Sequence, residues 1–153
     1  MIDINFLRSY SNRLKDAIES INFAEVVVDD SQLVNMLEDI SSSEKHLLFT
    51  VIPDFSTSGR HVDDIQKRAD TVIMVLQKTD YSDVTHPEFL DIMQDTLVSA
   101  NAIELKMIAD KNDYSDEGCQ YMKQLNVSSI NVIPVWGYSG CNGWSLEFNF
   151  VSG

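Results

Sequence analysis

The sequence is poor in everything that staples, kinks or anchors a chain. It holds two cysteines, three prolines, six glycines, three histidines and two tryptophans in 153 residues. Cys119 and Cys141 stand far apart with no CxxC spacing. Neither a disulfide framework nor a zinc site is indicated, and reduced thiols are the plain reading. No apolar run approaches the ~18 residues of a membrane span, and MIDINFLRSYSNRL lacks the basic start and apolar stretch of a signal peptide. A cytoplasmic chain without a membrane partner is expected. Basic residues are scarce too: 11 Lys and Arg stand against 24 Asp and Glu, a net charge of −13. Such a surface repels phosphate backbones, so no direct nucleic-acid partner is expected.

What is present is enough for one core. With 44% apolar and 23% charged residues the composition is that of a globular protein. A chain of this length buries roughly two-thirds of its unfolded surface without metal or disulfide. A single domain over 1–153 is expected.

The end of the chain organises the rest. INVIPVWGYSGCNGWSLEFNFV, from Ile130 to Val151, reads as a β-hairpin with a glycine-rich tip over Gly137–Gly143. In its second strand Trp144, Leu146, Phe148 and Phe150 alternate with Ser145, Glu147 and Asn149, so one face is apolar and the other wet. Pro134 cannot donate a ladder hydrogen bond, which predicts an edge or a bulge.

Upstream, Leu7, Tyr10, Leu14, Ala17, Ile18 and Ile21 recur at helical spacing, with Asp3 or Asn5 as caps. FAEVVV, from Phe23, reads as a strand. It leads at Asp30 or Ser31 into a short helix through Ile40, and Asp29 and Asp30 there serve the helix dipole better than they serve a metal. The polar link Ser41, Ser42 and Ser43 precedes a strand over Leu47–Ile52, ended near Pro53. A mixed-charge loop, Asp54 to Arg68, follows: a long hairpin connection or a functional flap. Ala69–Leu76 then reads as a central strand. Thr85, Pro87 and Glu88 start a helix running to about Ala109, on which Phe89, Leu90, Met93, Leu97, Ala100, Ile103, Met107 and Ile108 form the apolar set. A helical turn or two around Asp116–Leu125 precedes the hairpin. Grouped strands predict an α+β domain: a largely antiparallel sheet, helices packed on one face, and a C-terminal β-hairpin.

Chemistry is thin. His46, His61 and His86 show no paired-ligand spacing, and no GxSxG elbow raises a serine. His61, Asp63 and Asp64 are the best candidate ion ligands, though loop acids of this kind are more often solvated. No cofactor and no metal are expected. Trp136 and Tyr138, near the hairpin tip, are the better candidates for an interface, because such rings join area to a hydrogen-bonding edge.

The runs HLLFTVIPDFSTSG, DDIQKRADTVIMVLQKTD and the closing INVIPVWGYSGCNGWSLEFNF resemble small virion proteins of tailed phages and prophages, in which a PV–loop–GW hairpin ends the chain. The element order is similar to that of the tail-terminator, or tail-completion, class. The resemblance spans Leu47 to Phe150 and implies a non-enzymatic structural protein: a homo-oligomeric ring that caps or joins the tail tube with other virion proteins. It would be assembled in the bacterial host cytoplasm and carried in the virion. The contacts it implies are sheet edges, the N-terminal helix and loops, which makes Trp136, Tyr138, Arg60, His61 and Tyr10 the candidate interface residues. The alternative is a protein-binding domain of a bacterial mobile element that uses the hairpin tip and the 54–68 loop.

Overall fold

A computed structural model describes residues 1–40, 45–79, 84–115 and 119–153. The elements run α1 (Ile4–Ala17), β1 (Ile21–Val27), α2 (Asp30–Glu38), β2 (His46–Ser58), β3 (Gln66–Lys78), α3 (His86–Lys111), β4 (Leu125–Tyr138) and β5 (Cys141–Ser152). The five strands form one sheet in the order β1-β2-β3-β5-β4. The fold is α+β, mostly antiparallel, and closes on the β4–β5 hairpin. Among the described residues only β1 and β2 run parallel, and α2 carries the chain between them.

Helix starts follow the capping chemistry. Asp3 Oδ1 accepts from Phe6 N–H at 2.7 Å, Asp29 accepts from Gln32 N–H at 3.0 Å, and Thr85 caps α3 with Pro87 in its first turn. At the far end of α2, Lys78 Nζ donates to the carbonyls of Leu37 and Ile40 at 2.7 and 2.8 Å. A strand lysine thus closes the helix, supplying the donors its last turn lacks.

Alternation along the strands builds two cores. On one face Leu48, Ile73, Val75, Leu146, Phe148 and Phe150 pack against α1 and α3 through Phe6, Leu14, Ala100, Ile103 and Met107. On the other, Leu47, Phe49, Met74 and Leu76 pack against Leu33 and Leu37 of α2. The two longer helices therefore share a face as expected. The short α2 corrects that picture by lying on the opposite face, where odd-numbered apolar residues of β2 need cover.

Other boundaries also move. α1 ends at Ala17, with Ile18 as its C-cap, and Ile21 opens β1 instead of extending the helical stripe. β2 continues through Pro53 to Ser58, and β3 already starts at Gln66, so most of the 54–68 loop is strand. Pro53 is accommodated because the β2–β3 register breaks between Val51 and Asp54, where no ladder N–H is required of it. β4 begins at Leu125, five residues ahead of the expected start, and Gln120–Gln124 is a 3₁₀ turn. The Ser41–Ser43 link and the start of the expected 116–125 helical turns lie outside the described residues.

The hairpin tip is tighter than its glycines suggest. Tyr138 pairs with Cys141, and the two-residue loop Ser139–Gly140 has φ of 49° and 75°, the double left-handed signature of a type I′ turn. Asn142 and Gly143 are already inside β5, and a Cβ on Gly143 would sit 1.9 Å from the Val75 carbonyl oxygen. Close strand approach, not turning, requires that glycine.

Candidate functional site

The five candidate contact residues divide between surface and core. Trp136 is 72% exposed on β4. With Val84, Thr85, His86 and Phe89 it lines an open apolar cleft of about 360 Å³ between the hairpin tip and the start of α3. His86 stacks on Phe89, ring centroids 6.0 Å apart. Tyr138 leaves Trp136 for the other side of the sheet. The register shifts between Val135 and Tyr138, Gly137 adopts φ 66°, and its N–H donates to Asn142 Oδ1 at 3.0 Å. This bulge turns Tyr138 to pack on the α2-side core, where burial and the neighbouring Asp30 carboxylate raise its phenol above the ordinary range.

Tyr10 is corrected as a contact residue. It is 5% exposed, and its hydroxyl donates to Asp110 Oδ2 at 2.7 Å. Burial and the Asp110 carboxylate push its pKa upward. Asp110, itself 3% exposed, also accepts from Lys106 Nζ at 2.8 Å and Arg13 at 3.3 Å, so α1 and α3 are latched through one carboxylate.

Arg60 and His61 lie at the tip of the β2–β3 hairpin, a region in which every residue from Asp54 to Arg68 is exposed. Phe55, Val62 and Ile65 are among them, at 51%, 85% and 43%. β1 ends opposite Val51, so among the described residues β2 has a strand neighbour from Asp54 to Ser58 on its β3 side only. The tip closes as a 3₁₀ turn, with Asp64 N–H donating to the His61 carbonyl at 2.9 Å. Gly59 is needed there because a Cβ would meet the Asp64 carbonyl oxygen at 2.4 Å. Among the described residues no three His, Cys, Asp or Glu side chains converge as metal ligands, so His61, Asp63 and Asp64 are not drawn together as a site.

A second open cleft, about 410 Å³, lies on the half of the sheet face beyond α2. Asp54, Asp70 and Glu147 supply carboxylates, and Arg68 pairs with Asp70 at 2.8 Å. β4 parts from β5 between Asn126 and Asn131, and Ser129 Oγ takes over as acceptor for Asn149 N–H at 2.9 Å. The alternation of Ser145, Glu147 and Asn149 predicts a wet face, and the structure corrects this in part: Glu147 is exposed to the trough, whereas Ser145 and Asn149 are each only 8% exposed.

Three features lay beyond sequence reasoning. His46 Nδ1 lies 2.6 Å from Ser99 Oγ, which lies 2.6 Å from Ser20 Oγ. Ser99 is 1% exposed and His46 8%, and this chain of side chains ties α3 to the starts of β1 and β2. Trp144 Nε1 donates to the Met93 carbonyl at 2.9 Å, strapping β5 to α3. Finally, α3 is apolar on both sides: Leu90, Val98 and Leu105 are 52%, 58% and 69% exposed. The signal for this was present in the helical spacing of Leu90, Leu97 and Ile108, which the single expected stripe merged with the true core residues.

Among the described residues no helix is long and apolar enough to cross a membrane. The chain matches no protein-family model, and no curated protein matches it.

Proposed function

We propose that the chain is a non-enzymatic structural subunit of a phage or prophage particle, self-associating in the manner of a tail terminator to cap or join a tube. The observation that carries the reading is the β2–β3 hairpin. A hairpin whose strand ends and turn leave fifteen consecutive residues exposed, 54 through 68, with three large apolar side chains among them, stabilises little within one copy. Such an edge suits strand addition to a neighbour, since its free backbone groups offer hydrogen bonds that another chain can complete. A contact between this hairpin and a different surface of the next copy is heterologous, and heterologous contacts form a ring when the rotation between copies closes. Host-cytoplasm assembly and residence in the virion follow from the same reading.

The test is a shortened hairpin in which residues 57–67 are replaced by Asn-Gly. A wild type that forms rings in negative stain, with a shortened variant that folds but forms none, supports the reading. Rings from the shortened variant count against the hairpin as the joint. A second reading, a protein-binding domain of a bacterial mobile element, is favoured by the cleft under Trp136. Under that reading Trp136→Ala weakens capture of a partner and leaves the particle mass unchanged.

A further inference from the structure

We propose that the outer face of α3 pairs with the same face of a second copy, antiparallel, about a two-fold axis passing between Leu97 and Val98. At 3.6 residues per turn, Leu90, Leu97, Val98, Leu105 and Ile108 fall within a sector of about 100° of the helix, with Gln94 and Asn101 between them. Leu90, Gln94, Val98, Asn101 and Leu105 are exposed, and Leu97 and Ile108 are half-buried. The buried residues Thr96, Ser99, Ala100, Ile103 and Met107 occupy the opposite side. No charged residue falls in the outer sector.

Two arguments make the occupant a second copy. The first is charge: at −13 the surface as a whole repels another copy, and a helix face about 30 Å long without a charge is where two copies approach at least cost. The second is the order of residues along the stripe. Reversed about its centre, Leu90 meets Leu105 of the second copy, Gln94 meets Asn101, Leu97 meets Val98, and Pro87 meets Ile108. Apolar side chains meet apolar ones, and amide meets amide, which satisfies both. A shifted register would set Gln94 or Asn101 against leucine, so the amides fix the alignment as polar residues do in paired helices. On one flank Asp91 falls between the levels of Ala102 and Lys106 of the second copy, while Glu104, level with Asp91, lies on the opposite flank. Antiparallel packing also opposes the two helix dipoles. This pair is isologous and stops at two copies, so it stands apart from the ring contact assigned to the β2–β3 hairpin.

The test is thiol cross-linking under brief oxidation, with the unsubstituted protein as the control for Cys119 and Cys141. Gln94→Cys mixed with Asn101→Cys is expected to give a covalent dimer, while neither variant alone does. Adding Leu105→Glu to both is expected to abolish the dimer at unchanged circular dichroism and melting temperature. A cross-link from Gln94→Cys alone would overturn the antiparallel arrangement. No cross-link in the mixture at millimolar protein would overturn the second copy as occupant. Repeating the mixture in the shortened 57–67 background separates this proposal from the ring: the pair survives there whether or not rings form.

Discussion

The two long helices cover the same face of the sheet and are built on different plans. α1 is amphipathic: Phe6, Leu7, Tyr10, Ser11 and Leu14 are buried, while Arg8, Asn12 and Asp16 face water. Its sequence is accounted for within one copy. α3 buries Ala100, Ile103 and Met107 and carries Leu90, Val98 and Leu105 outward. The outer apolar set is left without cover in one copy, and the proposed α3 pair would cover it.

The comparison can be broken at its core end first. Leu14 is fully buried, so Leu14→Ala should cost about 2–5 kcal/mol in denaturant unfolding, and Leu105→Ala should stay within about 0.5 kcal/mol for the isolated monomer. Equal losses would abolish the distinction. Next comes the latch joining the helices. Asp110→Ala removes the acceptor of the Tyr10 hydroxyl and frees Lys106 and Arg13 to turn to water, at a cost of about 3 kcal/mol. Tyr10→Phe, which keeps the ring and loses only the hydroxyl bond, should cost about 1 kcal/mol by the same measurement.

A smaller effect lies where α3 meets the strands. Burial lowers the pKa of His46, against weaker opposing influences from Gln77 and Asp95, while Lys45 adds to the lowering. The unfolded chain takes a proton near pH 6.5 and the folded one resists it, so U binds more protons than N below that pH. Stability should therefore be full above about pH 6.5 and fall as the pH drops below it, levelling off only beneath the folded pKa. His46→Gln should flatten that part of the stability profile measured by thermal melts. The smallest effect on folding and the largest on association belongs to Leu105→Glu. Monomer melting temperature should hold, while the α3-to-α3 pair at micromolar protein is lost.

How much of this was legible depended on whether the deciding contact was local. Alternation over Trp144–Phe150 placed three β5 side chains and Trp144 on the α1–α3 side, and Thr85–Pro87–Glu88 marked the start of α3, because caps and strand faces are set within a few residues. The outer part of the β2–β3 hairpin read as loop because DFSTS and QKR are exposed on both faces, leaving no apolar period to find. Tyr10 read as a contact residue because its partner, Asp110, lies 100 positions away. Trp136 and Tyr138, two apart on one strand, read as neighbours, and a single bulge at Gly137 separated them.

The measurement that tests most directly whether this chain is built to associate with itself is its mass by light scattering from micromolar to millimolar protein, beside the Leu105→Glu variant. The account expects the wild-type mass to rise above 17.3 kDa with concentration, and the variant to show less association at each concentration. A wild-type mass of 17.3 kDa at every concentration would contradict it.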